Sequence, residues 1–573
     1  METPQIFTTA LFFEGQDEKL WPRRLLHVPS MTSVEREGEH TYLGVQKPDY
    51  NILSYTWGRY KISDGPTLQV KNIGWDIQPI DPLRFTVEDL ETTLRVVSHG
   101  KPFIWIDIAC IDQENYEVKM DEIGRQAGIF YNAKDAFIWL HGSSTQQLQR
   151  KFDHFFQLVA RLDGEAVEEI AFDENTTITN NWEPDDAASE IFIGENTFLP
   201  HCIRDLDWIN DMQRCLSGII GDVWFSSLWT LQEASLRPDA WFISKEGSVI
   251  PRKGYAEVAL MNLVHGMGEI ERHLSKALYM NRPEEDHALD VVLPSLKVLE
   301  SIVQRVGLGG WENPSTLYGS ARFRECIDPL DRIYGIMQIF GFRLGAACDP
   351  SREYTLDNLE HQFATRINAG SPIMGQLFVH TEPVDLGKCW RISQNSHIRT
   401  ALRLMSTMTL NLAQIRLDDS EQPVFAGPAC DFRQIAQQWT MAEEKNEGWP
   451  FWGVDGAVHF IALDENEYWY SRIPEDLRHI ETENFALNQS LSNLLLEISE
   501  DELQILLLGQ LLDPEDEEEA FPPTMPGCVG ILVRRVVFRE RVAWQRLGLC
   551  VWAMDASRED TEGLWRTVEY ALA

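Results

Sequence analysis

Polar and aromatic side chains stand where two predicted strands end. They are Ser54, Tyr55, Trp57 and Gly58 after the first strand, and Asp107, Asp112 and Gln113 after the second. Ligands of open parallel sheets bind beyond the carboxyl ends of the strands, so we expect these residues to share one edge. Their aromatic and carboxyl groups predict a pocket for a flat, polar ligand such as a nucleotide. The alternative is that Trp57 belongs to the core and that Asp107 caps the following turn.

Glu233 is a further candidate because of its apolar neighbours. It lies on a predicted helix, between Leu231 and Ala234. A carboxyl group in such surroundings must be paired or solvated, or else its pKa rises. Two interpretations stay open: a functional carboxyl group, or a buried one bonded to an arginine or to backbone amides that lock the domain.

A second possible catalytic pair is Cys110 as a nucleophile with His141, which follows a third predicted strand, as its base. Nothing in the sequence places these two side chains in contact, and no nucleophile-elbow pattern is present. We therefore expect Cys110 to be a small, buried core residue.

The elements that position the candidates form a strand–helix–strand unit at 103–142. Apolar runs at 103–108 and 136–140 predict two short buried strands. The segment 117–133 has helical periodicity, with one apolar face. Parallel strands need such a crossover, so the pattern predicts an α/β fold with a parallel sheet.

The composition of the chain limits the kinds of partner that it is expected to bind. It has 573 residues, a hydrophobic fraction of 44% and 19 tryptophans, enough for large cores. Its formal net charge is −39, which repels phosphate backbones and anionic lipid, so we expect no nucleic-acid partner and no membrane partner for the whole chain. The arginine-rich segment at 534–541 is interpreted as an alternating strand with solvated arginines.

Cysteine and histidine usage predicts reduced thiols and no metal. The nine cysteines are scattered without a C-x-x-C pair, which favours a cytosolic or nuclear protein, and of these we expect a cytoplasmic one. The fourteen histidines show no metal-binding spacing. We find no signal-peptide pattern at the start of the sequence and no apolar run of about 18 residues, so no transmembrane helix is expected.

Three ordered blocks resemble the fungal heterokaryon incompatibility (HET) domain. They are YNILSYTWG at 50–58, IWIDIACIDQ with the following EIGRQAGIF at 104–130, and VWFSSLWTLQEA at 223–234. The segment FRECIDPLDRIYGIMQIFGF at 323–342 also resembles one that often follows this domain. The chain departs from the family at Ser227, where an arginine is usual, and at Asp112, where an asparagine is common.

The resemblance implies a domain organisation. We expect a lead-in at 1–47, a HET-like α/β domain at 48–245 with an acidic insertion at 143–200, a mostly helical region at 246–445 and a small mixed α+β region at 446–573. In the last region, 487–512 is interpreted as a pair of helices and 527–553 as two pairing strands.

The resemblance also implies a chemistry. The HET domain is thought to be remotely similar to TIR and flavodoxin-like domains, and some TIR domains hydrolyse NAD with a single glutamate. Glu233 is the analogous catalytic candidate here, and Asp107 is a second one. A glutamate in this role stabilises the oxocarbenium-like centre that forms when nicotinamide leaves. NAD is then a substrate, and we expect no resident cofactor.

Two functions follow as hypotheses. The first is a heterokaryon-incompatibility protein that acts in fungal nonself recognition and programmed cell death, with a protein partner or self-association as its trigger. The second is an NAD glycohydrolase that acts through Glu233. An enzyme needs Glu233 open to a cleft, whereas an interaction module buries it in a paired network.

Overall fold

A computed structural model of the chain describes residues 5–6, 21–163, 200–251, 257–279, 287–308, 314–398, 408–444, 459–465, 494–497, 503–511, 527–553 and 563–573. The strands are β1 (Gln5–Ile6), β2 (Arg24–His27), β3 (Thr32–Glu35), β4 (Thr41–Tyr42), β5 (Val45–Gln46), β6 (Tyr50–Ser54), β7 (Phe103–Trp105), β8 (Ala136–Trp139), β9 (Trp241–Ile243), β10 (Val379–His380), β11 (Ser396–His397), β12 (Met408–Asn411), β13 (Gln414–Leu417), β14 (Pro423–Asp431), β15 (His459–Leu463), β16 (Leu503–Leu511), β17 (Gly527–Phe538), β18 (Arg541–Ala553) and β19 (Arg566–Ala571).

The helices are α1 (Val87–Ser98), α2 (Asp107–Cys110), α3 (Tyr116–Ile123), α4 (Gln126–Asn132), α5 (Thr145–Ala160), α6 (Leu206–Ile220), α7 (Leu228–Leu236), α8 (Leu260–Tyr279), α9 (His287–Val306), α10 (Pro314–Ala321), α11 (Asp331–Tyr334), α12 (Leu356–Gly370), α13 (Pro372–Gln376) and α14 (Phe432–Glu444). Short 3₁₀ turns include Gly58–Tyr60, Val223–Ser226, Met337–Phe340 and Gly345–Ala347.

The first sheet is the parallel sheet that the sequence predicts. Its order is β3-β2-β7-β6-β8-β9, in which β7, β6, β8 and β9 run parallel. β2 and β3 extend it antiparallel at the β7 edge. β6 lies between β7 and β8. After β6 the chain therefore places β7 on one side of β6, and it then places β8 on the other side. The carboxyl ends of these central strands are where an open α/β sheet binds its ligands.

The predicted single helix at 117–133 is wrong, because two helices, α3 and α4, meet at Gly124. A Cβ atom on Gly124 would lie 2.8 Å from Nε of Arg343 and 3.1 Å from Cβ of Ala347. The segment that carries those two residues therefore packs directly against the junction. This tertiary contact overrides the local helical periodicity.

Three glutamines join the first sheet's helices to the later segment Met337–Phe340. The Gln232 side chain on α7 donates to Oε1 of Gln126 on α4 at 2.8 Å. Its own Oε1 accepts from the backbone N–H of Gln338 at 3.0 Å. The Gln338 side chain accepts from the backbone N–H of Ala127 at 3.3 Å. Residues near 338 are thus part of the packing of the α/β domain, although they lie far beyond 245 in sequence.

The middle of the chain is helical through α13, and the C-terminal part is rich in strands. A nine-stranded sheet contains the path β1-β12-β16-β17-β18-β15, with β13, β14 and β19 attached through β14. The predicted pairing of two strands within 527–553 is confirmed by β17 and β18. The predicted helical pair at 487–512 is wrong for 503–511, which form β16.

β16 was misassigned because its sequence has no alternation. Eight of its nine residues are buried, since the strand is covered on both faces, so its apolar run has no period that separates strand from helix. Residues 494–497 of the predicted pair are helical, whereas 487–493 and 498–502 lie outside the described residues. β12, β13 and β14 likewise interrupt the end of the region predicted to be mostly helical.

Within the described ranges, no helix is both long and apolar enough to cross a membrane. All nine cysteines lie in described ranges, and each is a free thiol. Eight of the nine are at least partly buried, Cys110 among them, which confirms its prediction as a buried residue.

Candidate functional site

The site lies where β6 and β7 end and where α7 packs against them. β6 ends at Ser54, β7 leads through Ile106 into Asp107 at the start of α2, and α7 carries Glu233. The fold therefore brings together side chains from three segments that are far apart in sequence. Ser54 and Asp107 were predicted at the strand ends, and Glu233 is the predicted glutamate.

Ser54 holds the carboxyl group of Glu233. Its hydroxyl group donates to Oε2 of Glu233 at 2.5 Å and accepts from the indole Nε1 of Trp224 at 2.7 Å. Trp224 is fully buried, so its N–H needs a partner, and Ser54 satisfies it. The oriented hydroxyl then fixes the position of the Glu233 carboxyl group.

Asp107 is held from the other side by Trp57. The Trp57 Nε1 donates to Oδ2 of Asp107 at 2.5 Å, and the backbone N–H of Ile108 donates to Oδ1 at 2.7 Å. Tyr55 lies close by, and burial followed by the charge of Asp107 raises the pKa of its hydroxyl well above the ordinary value. Trp57 is thus a core residue, 9% exposed, and it also donates a hydrogen bond to a carboxyl group of the candidate site.

Both carboxyl groups are electrostatically perturbed. Burial raises the pKa of Glu233 to about 8; the Ser54 hydrogen bond opposes this shift, and the negative charge of Asp107 adds to it. Burial also raises the pKa of Asp107, against hydrogen bonds from Trp57, Ile108 and Tyr55. Among the described residues, neither carboxyl group forms an ion pair with a lysine, arginine or histidine. The charge of Lys61 also lowers the pKa of Asp107, but burial outweighs it, and buried, coupled carboxyl groups with raised pKa values are a pattern of functional sites.

The Glu233 side chain is therefore not locked by an arginine. Its residue is partly exposed, while its carboxyl group lies deep enough to carry a raised pKa. The nearby buried arginine is Arg324, which is 1% exposed and turns elsewhere. It donates to the backbone oxygens of Ser227 at 3.1 Å and Val306 at 2.6 Å, so it holds backbone carbonyls in place of a carboxylate.

Arg324 also bears on the departure at Ser227. Ser227 has no guanidinium group of its own, but its backbone carbonyl accepts a hydrogen bond from the guanidinium of Arg324. The backbone of Ser227 also pairs with that of Glu325. The sequence pattern at 323–342 included Arg324, but gave no sign of this contact. The residues that sequence reasoning missed in the site are Trp224 and Arg324, since both act through contacts about 100 or more positions away.

Three predicted ligand-binding residues remain, Gly58, Asp112 and Gln113. Gly58 begins a 3₁₀ turn after Trp57. Asp112 accepts from the backbone N–H groups of Glu114 and Asn115 at 3.1 and 3.0 Å, which caps the turn before α3. Gln113, next to it, is partly exposed.

The Cys110–His141 pair gains no support from the geometry. The Cys110 thiol points to the backbone oxygen of Ile104 at 3.8 Å. His141 packs among the rings of Tyr60, Phe85 and Trp139. Burial raises the pKa of Cys110 to about 12, which is the opposite of what a nucleophilic cysteine needs.

The geometry defines a class: an α/β domain with a coupled carboxyl pair at the ends of its central parallel strands. Residues 50–233 match the family model described as Heterokaryon incompatibility protein (HET). Over these residues the chain is therefore similar to the HET family, as the three blocks of its sequence predict. Ser54, Asp107 and Glu233 all lie within the matched residues.

A relative of known name gives the same family. The chain is similar to "Heterokaryon incompatibility protein 6, OR allele" of Neurospora crassa, with 26% identity over 206 residues. The similarity covers 34% of this chain and 28% of the relative, so it spans less than a third of that protein. No solved structure is significantly similar to the chain.

Proposed function

We propose that the chain is an enzymatic effector of fungal nonself recognition and programmed cell death, which hydrolyses the nicotinamide–ribose bond of NAD at Glu233 and Asp107. One observation carries this proposal. The Glu233 carboxyl group is oriented by Ser54 beside Asp107 and has no cationic partner among the described residues. An interaction module would gain nothing from two buried carboxyl groups without an ion-pair partner, because burial of each polar group costs free energy.

The charge of the site fits an oxidised nicotinamide ring, which is positively charged. Glu233, with a pKa of about 8, is mostly protonated at neutral pH in the empty site. A cationic ring beside it favours the ionised form, so binding converts Glu233 to a carboxylate at the moment when chemistry needs one. A reduced, uncharged ring does not give this effect, so the proposal selects the oxidised dinucleotide.

The reaction needs no electron donor. The bond between the ribose carbon and the nicotinamide nitrogen breaks, and its electron pair leaves on nicotinamide, which becomes neutral. The Glu233 carboxylate stabilises the positive charge that develops on the ribose carbon. A water molecule attacks that carbon, Asp107 accepts the proton that the water loses, and ADP-ribose is released. Trp57 and the Ile108 N–H orient Asp107 for this role.

Further support comes from the topology and from the relative. In order along the sheet, the four parallel strands are the second, first, third and fourth of the chain's parallel strands, an order typical of flavodoxin-like sheets and expected for a TIR-like domain. The N. crassa relative is named for heterokaryon incompatibility. We further propose that the chain is a cytoplasmic effector whose trigger is a protein partner or a second copy of the chain.

An expression experiment tests the effector proposal. The full chain is induced in a fungal host, beside Glu233→Gln and the matched control Glu122→Gln. Glu122 is another buried carboxyl group with a raised pKa, about 7, but it bonds the backbone N–H of Arg23 away from the site. We expect NAD depletion and growth arrest with the wild type and the control, and neither with Glu233→Gln. Growth arrest with normal NAD in all three would contradict an NAD-consuming effector and favour an interaction module.

A further inference from the structure

Three side chains that form hydrogen bonds lie at the carboxyl ends of β6 and β8. They are Thr56, two residues beyond β6, Tyr60, in the 3₁₀ turn that follows, and His141, two residues beyond β8. Thr56 Oγ1, the Tyr60 hydroxyl and His141 Nε2 are shielded from solvent, and none has a hydrogen-bond partner among the described residues. Thr56 and His141 are each only 5% exposed. Buried polar atoms are nearly always hydrogen-bonded, so three at one place indicate a group that binds between them.

Ring contacts bring these residues together. The ring centres of Tyr60 and His141 are 6.0 Å apart, edge to face. Phe85, which lies shortly before α1, has its ring centre 5.0 Å from that of His141. The segment after β8 therefore touches the connection that follows β6 at two points. β6 and β8 pair in parallel, and their register, continued by two residues, sets Thr56 beside Leu140, the neighbour of His141.

This place is the switch point of the sheet. The connections that leave β6 and β8 run in opposite directions, to β7 on one side and to β9 on the other. Because such crossovers are right-handed, their helices cover opposite faces of the sheet, and a crevice opens between the two strand ends. Ligands of open α/β sheets bind in that crevice. The carboxyl pair is next to it, since Tyr55, which lies close to Asp107, has its ring centre 6.3 Å from that of Trp139 at the end of β8.

The chemistry of the crevice fits an uncharged group that carries hydroxyls. A threonine hydroxyl, a phenol and a neutral imidazole can each bond a hydroxyl group, which both donates and accepts. Burial lowers the pKa of His141, against the charge of Asp222, so the imidazole is neutral at pH 7. The flanking charges have opposite signs: the Arg84 guanidinium carbon lies 4.8 Å from the centre of the Tyr60 ring, and the Asp222 carboxylate accepts from the backbone N–H of Gly142 at 3.1 Å. A ligand with a net charge therefore gains little here.

We infer that Thr56, Tyr60 and His141 bind the adenosine ribose of the dinucleotide through its two hydroxyl groups. This inference rests on the proposed function and deepens it, because it assigns a place to the second half of the substrate. The nicotinamide ribose, whose bond breaks, faces Glu233 and Asp107, which leaves the adenosine ribose for the neighbouring crevice. The two sugar hydroxyls each donate and accept, so they satisfy atoms that an apolar ligand would leave unbonded.

Binding of adenosine tests the crevice without any chemistry. Isothermal titration calorimetry compares the full chain with Thr56→Val, Tyr60→Phe and His141→Phe, each of which removes the polar atom and keeps a side chain of similar shape. The control is Thr409→Val, because Thr409, in β12 of the nine-stranded sheet, is fully buried and its hydroxyl also has no partner among the described residues. We expect about tenfold weaker binding by each crevice variant and unchanged binding by the control.

A second nucleoside shows whether the protein recognises the ribose hydroxyls. Dideoxyadenosine, which lacks both of them, should bind the wild type at least about tenfold more weakly than adenosine does. The crevice variants should discriminate less between the two nucleosides, since each has lost one of the bonding atoms. Equal affinity of the wild type for both nucleosides, the same adenosine affinity in every variant, or no saturable binding, as expected if water alone bonds these atoms, would overturn the inference.

Kinetics with NAD separate this inference from the proposed function. Thr56→Val and Tyr60→Phe should each raise KM about tenfold with kcat unchanged, because the adenosine ribose is bound equally in the ground state and the transition state. Adenosine binding that depends on these residues, without any NAD hydrolysis, would retain the crevice and reject the hydrolase. Hydrolysis with the wild-type KM in both variants would retain the hydrolase and reject the crevice.

Discussion

The Ser54 hydroxyl group donates a 2.5 Å hydrogen bond to the Glu233 carboxyl group across 179 positions of sequence. The same oxygen satisfies the buried N–H of Trp224 at 2.7 Å, so one small side chain joins β6 to α7 and to the segment before it. This contact joins the first and last of the three HET-like blocks. It orders the candidate site and stabilises the fold at the same time.

Ser54→Ala should therefore destabilise the chain. It leaves the buried Trp224 N–H without its partner and Glu233 without its donor, and an unsatisfied buried donor costs about 1–3 kcal/mol. We expect the urea midpoint to fall accordingly. Ser98→Ala is the control, because Ser98 donates only to the backbone oxygen of Arg95 in its own helix and should change stability by less than about 0.5 kcal/mol. Equal losses from the two substitutions would contradict this role of Ser54.

Glu233→Gln should change how stability depends on pH. Folded Glu233 keeps its proton up to about pH 8, while in the unfolded chain it loses the proton near the model value of 4.5. The folded state therefore binds more protons between these values, and the free energy of unfolding falls there by up to about 1.4 kcal/mol per pH unit. Glutamine removes this loss, so the variant gains on the wild type as pH rises.

Urea unfolding at pH 5 to 9 checks this prediction. The advantage of Glu233→Gln should grow until about pH 8, whereas that of Glu122→Gln should stop growing near pH 7, where folded Glu122 ionises. Parallel curves for the wild type and Glu233→Gln across this range would mean that Glu233 is ionised in the fold at neutral pH.

Trp57→Phe should move the acid limb of the activity profile. The substitution keeps an aromatic ring beneath Lys61 but removes the N–H that bonds Asp107 at 2.5 Å. That hydrogen bond lowers the pKa of Asp107, so its loss raises the pKa and shifts the acid limb of kcat/KM to higher pH. Trp75→Phe serves as a control, since Trp75 donates to the backbone oxygen of Ile108 and to no carboxyl group. The same shift in both variants would show that Asp107 does not set the limb.

Arg324→Met should be among the more destabilising single changes in the chain. Arg324 is buried, and its guanidinium donates to the backbone oxygens of Ser227 and Val306. We expect a loss of about 3 kcal/mol, measured by urea unfolding, because several buried acceptors lose their donors together. Arg95→Met, which removes an exposed ion pair with Glu91, should cost under about 1 kcal/mol. A small loss at Arg324 would mean that water reaches those oxygens.

The sequence predicted the local parts of the fold and the composition of the site. The strands β6, β7 and β8 follow from apolar runs, and Asp107 and Glu233 follow from their places within apolar segments. The break at Gly124 and the strand at Leu503–Leu511 were missed, because packing by Arg343 and Ala347 decides the first and two-sided burial decides the second.

The contacts within the site were beyond sequence reasoning. Ser54, Trp224 and Glu233 were each visible as residues of conspicuous blocks, but their mutual hydrogen bonds depend on how β6 meets α7. Lys61 was not noticed, since it lies among ordinary polar residues and only the fold places its ammonium group over the Trp57 ring. The arginine-rich segment at 534–541 was predicted as one strand, which is confirmed for 534–538 at the end of β17. Arg539 and Glu540 instead form the turn into β18, which begins at Arg541.

The most direct measurement is release of nicotinamide from NAD by the purified full chain, followed by chromatography, beside Glu233→Gln and Glu122→Gln. The account predicts turnover by the wild type and by Glu122→Gln, and a loss of at least about 100-fold in folded Glu233→Gln. Equal turnover by Glu233→Gln and the wild type, or none from a folded wild type that is also artificially clustered, would contradict it.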